Sequence, residues 1–342
     1  MRRFFSTRRF FLCGKNKISI LNPCSSCSTI ICTTLYRLVV LGMFCLLVTL
    51  LLERDAATKT VAPPPPPPVA SSRIFCIIST YGYRHNSAAV YVKRTWAQHC
   101  DQFLVVSDDS HEELEPAVFM NLPDKWHQLR AHLEYVYKYH FDDGDWFLYA
   151  NDDNFVVIEN LRHMLLSYKS EELIYFGCKL RSLTNQVYMY DGSSMVFSSA
   201  TLRNFVLQAM PNETLCTSRA MGNAATEELG RCLSKIHVQA GDSRDYLGYH
   251  RFLPFELKDH LGNPLNESVD LHKNFLARSY YHVPDLIVQA SVRSISSHVN
   301  YMPNIYNLFY LTYKVKHFGM PLVKKWHDNP KDEANGEGLY EP

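Results

Sequence analysis

From Arg73 to Phe176, short apolar runs alternate with longer segments of helical periodicity, a pattern that few folds accommodate. Arg73–Thr80, Phe103–Val106, Trp146–Ala150 and Leu173–Phe176 read as buried strands. Asn86–Gln98, Asp124–His140 and Ile158–Ser167 read as helices between them. The second of these places Trp126, Leu129, Leu133, Val136 and Tyr137 at helical spacing. Strand–helix alternation predicts an α/β fold with a mostly parallel sheet. A chain of 342 residues with 46% apolar content can bury a core of that size.

An open parallel sheet binds its ligands outside the carboxyl ends of its strands. At the end of the third strand stands Asn151-Asp152-Asp153-Asn154. Carboxylates leaving an apolar strand could hold a hard cation such as Mn²⁺ or Mg²⁺ against phosphate oxygens. The plainer reading is an acidic turn in which Asp153 or Asn154 caps the next helix. No G-x-G-x-x-G follows the first strand and no G-x-x-x-x-G-K-[ST] occurs, so dinucleotide and P-loop readings lose their main support. With 35 basic and 34 acidic residues, the net charge of +1 argues against nucleic acid as a partner.

The first 72 residues differ from the rest. Residues 1–37 carry seven Lys and Arg and no acid, which marks a basic cytosolic tail. Residues 38–52 hold no charge and read as the core of a single transmembrane anchor, extended to 30–52 if Arg37 snorkels. Fifteen helical residues span about 22 Å against a hydrocarbon core of roughly 30 Å. The positive flank predicts a type II orientation with the remaining chain lumenal, in the Golgi or endoplasmic reticulum membrane. Six consecutive prolines, Pro63–Pro68, fit a stiff stem over 53–72. A lumenal domain over 73–342 then follows, and the sequons at Asn212 and Asn266 suit that compartment. Five cysteines fall in this domain, so at least one is unpaired or bridges chains.

The run from Asp142 to Val157 resembles the DxD segment of glycosyltransferase family 31, and more narrowly its core 1 β1,3-galactosyltransferase group. Val92–Cys100, Glu159–Arg162, Ile174–Gly177, Gly230–Cys232 and Ala240–Asp245 agree in the same order, over about residues 73–320. The resemblance implies a GT-A nucleotide-sugar-binding fold. It implies an inverting transfer of galactose from UDP-galactose to the 3-hydroxyl of GalNAc on a glycoprotein, with Mn²⁺ as cofactor, and a tendency to form homodimers.

Residue by residue, the resemblance puts the direct metal ligands at Asp153 and His298. It puts nucleotide contacts at Asn151, Asp152, Lys93 and Arg94, and the acceptor side at Asp242, Arg244 and Asp245. It implies disulfides Cys76–Cys100 and Cys216–Cys232, leaving Cys178 unpaired. Asn151 stands where the family has its first DxD carboxylate. Ala225-Thr226 stands where the family has a Glu-Asp pair that includes the proton acceptor. A two-residue shift would bring Glu227 and Glu228 to that place as catalytic carboxylates. Asp191-Gly-Ser-Ser194 replaces a Gly-Gly-rich segment, and Gln289-Ala290 replaces a Cys-Cys pair. The competing function is that of a sister group, a lumenal chaperone or partner of a galactosyltransferase.

Overall fold

The computed structural model describes residues 36–49, 72–219, 225–261, 269–282 and 290–315. The chain divides into Met1–Val69 and Ala70–Pro342. The first unit contributes one described helix, α1, over 36–49. The expected membrane span, and the type II Golgi or endoplasmic reticulum location built on it, are corrected here. Among the described residues no helix is long and apolar enough to cross a membrane. From residue 36 to residue 49, α1 rises only about 21 Å. Residues 30–35 and 50–52 of the expected span lie outside the described residues, as do the 1–35 tail, most of the proline-rich segment and Asn266.

The second unit is built on seven strands. In chain order they are β1 Ile74–Ser79, β2 Gln102–Ser107, β3 Ala117–Phe119, β4 Trp146–Asn151, β6 Ile174–Phe176, β9 Met195–Ser198 and β10 Gln239–Ala240. Their spatial order is β10-β6-β9-β4-β1-β2-β3. β3, β2, β1 and β4 run parallel, β9 is antiparallel to both β4 and β6, and β10 is parallel to β6. The sheet is therefore mostly parallel with one reversed strand. Two small pairs flank it: β5 Asn154–Val156 with β11 Ser296–His298, and β7 Lys179–Arg181 with β8 Val187–Met189.

Strand periodicity divides the core into two layers. Along β1, Ile74, Cys76 and Ile78 point to one face, while Phe75 and Ile77 point to the other. Trp146, Leu148 and Ala150 of β4 join the first face; Phe147 and Tyr149 join the second. The first face is covered by α2 Val90–Arg94, α4 Ile158–Leu165 and α8 Asn304–Phe309, through Val92, Leu161 and Ile305. The second is covered by α3 Lys125–His140, α5 Ser199–Asn204 and α6 Ala225–Lys235, through Leu129, Leu133, Leu202 and Leu229. The remaining helix, α7, spans Asp270–Arg278. Burial on both faces explains why these strands read as continuous apolar runs rather than alternating ones.

The helix expected over 86–98 is interrupted. Thr95 takes a non-helical conformation, with φ −120° and ψ −110°, and its hydroxyl donates to the Tyr91 carbonyl at 2.7 Å. A tight turn over Trp96–His99 follows. By contrast α3 starts where expected, because the Asp124 side chain accepts the N–H groups of Trp126 and His127. Cys76 bonds Cys100 and Cys216 bonds Cys232, the two pairings implied by the resemblance; Cys178 is buried and unbonded.

Close packing of α6 on β8 depends on Gly230. A Cβ there would meet the Val187 carbonyl oxygen at 2.6 Å and the Tyr188 Cβ at 2.7 Å. Gly230→Ala is expected to destabilise the domain by about 1–3 kcal/mol through overpacking. A urea midpoint that falls at constant slope would show it.

Candidate active site

Strand order places the site. From β1 the chain proceeds outward to β2 and β3, then returns to β4 on the other side of β1. The crevice at such a switch point opens between the carboxyl ends of β1 and β4. Ser79 and Asn151 pair across it, and the Asp152 N–H donates to the Ser79 carbonyl at 3.0 Å. A cavity of about 290 Å³ lies at these strand ends. Asn151, Asp152, Asp153 and Asp191 line it, together with Arg84, Lys125 and the rings of Tyr81, Tyr83 and Tyr149.

Asp152 and Asp153 are adjacent but differently held. Asp152 is buried, with its side chain 5% exposed. The Thr80 hydroxyl donates to it at 2.6 Å, and Arg84 Nε lies 2.8 and 2.9 Å from its two oxygens. Burial pushes the Asp152 carboxyl above its ordinary value, against the lowering pull of Arg84 and Thr80. In return, the hydrogen bond to Asp152 raises the Arg84 guanidinium further. Asp152 is thus a braced anchor for Arg84.

Asp153 reaches both ways: its Oδ2 lies 3.8 Å from Arg84 Nη2, and its other oxygen faces His298. Its Oδ1 lies 3.6 Å from His298 Nδ1, and both atoms are buried without a hydrogen-bond partner among the described residues. The backbone creates this meeting. β11 pairs antiparallel with β5, setting His298 opposite Asn154, and the Val299 N–H donates to the Asp153 carbonyl at 2.8 Å. His298 Nε2 lies 3.1 Å from Asn300 Oδ1. With Nε2 donating to Asn300, Nδ1 would be the ring nitrogen offered to a cation. A carboxylate oxygen and an imidazole nitrogen with unshared lone pairs suit Mn²⁺ or another hard-to-borderline cation. Among the described residues no cluster of three or more His, Cys, Asp or Glu could hold a metal. The pair would be a partial ligand set.

Asn151 and Asn154 brace the turn. Asn154 Oδ1 accepts the Asn151 N–H at 3.2 Å, while the Asn151 and Asn154 side-chain amides donate to the carbonyls of Asp191 and Gly192 at 3.0 and 3.2 Å. The reading of this tetrapeptide as a helix cap does not apply, since Val157 precedes α4 and Asn154 starts β5.

The other expected site residues lie elsewhere. Lys93 donates to the Glu113 carbonyl and Arg94 pairs with the Glu113 carboxylate, and neither lines the cavity. Glu228 is buried and paired with Arg231, and neither it nor Glu227 lines the cavity; Ala225 and Thr226 do. Asp242 and Arg244 form an ion pair at 2.8 Å, with the guanidinium 3.5 Å from the centre of the Tyr281 ring. Burial alone would raise the Asp242 carboxyl, but hydrogen bonds from Arg244 hold it below its ordinary value. Asp245 caps its own loop by accepting the N–H groups of Leu247 and Tyr249. These three therefore brace a loop outside the cavity. Arg84, Lys125 and Asp191 are the residues that sequence reasoning did not select. Arg84 follows the Tyr81-Gly82 turn at the end of the first strand, and that position is its only sequence signal.

A family model described as Fringe-like matches residues 69–233. The glycoprotein-N-acetylgalactosamine 3-beta-galactosyltransferase 1 of Xenopus laevis is 33% identical over 258 residues, which cover 72% of this chain and 68% of that protein. A beta-1,3-glucosyltransferase of Mus musculus is 26% identical over 217 residues, covering 60% of this chain and 42% of that protein. Among solved structures, the galactosyltransferase LgtC in complex with donor and acceptor sugar analogues is 13% identical, with a TM-score of 0.38. That match covers 66% of this chain and 87% of LgtC, a likeness too slight to decide anything. Carried by the match to the Xenopus protein, the chain belongs to glycosyltransferase family 31, in the group of the glycoprotein-N-acetylgalactosamine 3-beta-galactosyltransferases.

Proposed function

We propose that this protein is a metal-dependent, inverting β1,3-galactosyltransferase on a GT-A fold, moving galactose from UDP-galactose to GalNAc on a glycoprotein. The observation that carries the reading is the facing pair of Asp153 Oδ1 and His298 Nδ1 at the switch-point cavity. These two residues would hold Mn²⁺ or Mg²⁺, whose charge would stabilise the departing diphosphate. Arg84 and Lys125 line the same cavity. They offset the negative charge of Asp152, Asp153 and Asp191, so that a diphosphate enters against less repulsion. Tyr83 is 80% exposed and stacks on Tyr81, with ring centroids 5.7 Å apart. Its open face suits a pyrimidine base. The Asn151 amide, fixed on the Asp191 carbonyl, leaves its side-chain oxygen for a donor hydroxyl.

The test is transfer itself. The protein is incubated with UDP-galactose, Mn²⁺ and a peptide carrying GalNAc on Ser or Thr. Addition of one hexose to the peptide is expected. A folded protein that adds none would favour the chaperone or partner reading. The specific observation on that side is the pair Ala225 and Thr226 on the cavity wall, which brings no carboxylate to the start of α6.

A further inference from the structure

We propose that Asp191 is the catalytic base, taking the proton of the attacking acceptor hydroxyl; this rests on the transferase reading above. Among the described residues three carboxylates line the cavity: Asp152, Asp153 and Asp191. The first is buried under Arg84 and Thr80. The second lies between Arg84 Nη2 at 3.8 Å and His298 Nδ1 at 3.6 Å, the ring nitrogen with which it would hold the cation. Glu228, on α6 but outside the cavity lining, is held by Arg231.

Asp191 is the one carboxylate of the three placed to exchange a proton. Its side chain is 37% exposed, and its ion-pair contact, Lys125 Nζ, stands 3.8 Å away, beyond hydrogen-bonding distance. Its main chain is fixed where its side chain is open. The Asn151 amide holds the Asp191 carbonyl and the Asn154 amide holds the next one, at Gly192. The same two asparagines flank Asp152 and Asp153, so the base and the diphosphate site are tied to one turn. Gly192 permits that tie, because a Cβ there would meet the Tyr190 ring at 2.2 Å. A proton acceptor on a braced backbone with a solvent-reachable carboxylate meets the geometric demand of general base catalysis.

The balance of the step is simple. The acceptor oxygen forms its bond to C1 of the donor sugar as the bond from C1 to the β-phosphate oxygen breaks. The electron pair of that bond leaves on UDP, and the hydroxyl proton passes to Asp191, which returns it to solvent after turnover. Inversion at C1 follows from a single displacement.

The experiment compares Asp191→Asn, Asp191→Glu and Glu227→Gln with the unaltered chain, measuring transfer to the GalNAc peptide across pH and UDP affinity with Mn²⁺. Asp191→Asn is expected to lower kcat by about 10²–10⁴-fold. It should retain UDP affinity and lose the acid limb of the pH profile, and Asp191→Glu should recover part of the rate. An active unaltered chain with an equally active Asp191→Asn overturns this assignment alone. So does loss of turnover in Glu227→Gln while Asp191→Asn works. An unaltered chain that binds UDP but transfers nothing overturns the transferase reading, and this assignment with it.

Discussion

Arg84→Ala is expected to destabilise the domain by about 3–5 kcal/mol at pH 7, the cost of leaving a buried charge without its partner. Asp152 is the charge concerned, and Arg84 contacts both its oxygens. The effect has a pH signature. Burial already raises the Asp152 carboxyl, and removing Arg84 removes the main lowering influence. In the variant the folded state therefore holds the Asp152 proton at pH values where the unfolded chain, near the ordinary 3.8, has lost it. Stability then rises as pH falls from 7 toward that ordinary value, because the folded state binds more protons than the unfolded one. Chemical denaturation at pH 7 and pH 5 checks this: the deficit relative to the unaltered protein should be smaller at pH 5. An equal deficit at both would mean that Arg84 acts through packing alone.

The second large effect is on binding. Asp153→Ala removes one of the two donors facing the proposed cation, and His298→Ala removes the other. Outer-shell partners of a metal are worth about 10–100-fold in affinity, so loss of a direct ligand from a pair should cost at least about a hundredfold in apparent Mn²⁺ affinity. Both variants should fold. The β5–β11 pairing runs through backbone groups, and both side chains are about a quarter exposed, at 27% and 26%. An unchanged Mn²⁺ titration in His298→Ala would make His298 a structural neighbour of Asp153 and nothing more.

The contrast between Asp153 and Lys93 shows what a sequence makes legible. The strands that bury both faces, β1, β2, β4 and β6, announce themselves as apolar runs, and α3 announces itself by its spacing and its Asp124 cap. Carboxylates at the end of such a strand are therefore placed by the sheet itself. β3, β5, β6, β7, β8 and β11 are three residues long, too short to carry a period, and β11 is positioned by pairing with a strand about 140 residues earlier and by backbone hydrogen bonds with residues 251–255. The contact between His298 and Asp153 is thus a fact of tertiary pairing, and the resemblance alone pointed to it.

Not every position carried over by the resemblance lines the cavity. Read as one helix, 86–98 offers no reason to prefer any face for Lys93 and Arg94; the break at Thr95 and the pairing with Glu113 settle where they go. Glu227 and Glu228 bring carboxylates near the expected place in the sequence, but the cavity meets α6 at Ala225 and Thr226, a fraction of a turn earlier. Arg84 had no pattern to mark it. Its contacts with the buried Asp152 and with Asp153 at the cavity give it a role.

The central claim is that Asp153 and His298 make a cation-dependent nucleotide site at the switch point of the sheet. Calorimetric titration of UDP into the protein, with and without Mn²⁺, tests it most directly. The account predicts binding with Mn²⁺ that is lost when the metal is withheld and lost again in Asp153→Ala. Equal UDP binding with and without Mn²⁺, or Mn²⁺-dependent binding that survives Asp153→Ala, would contradict it.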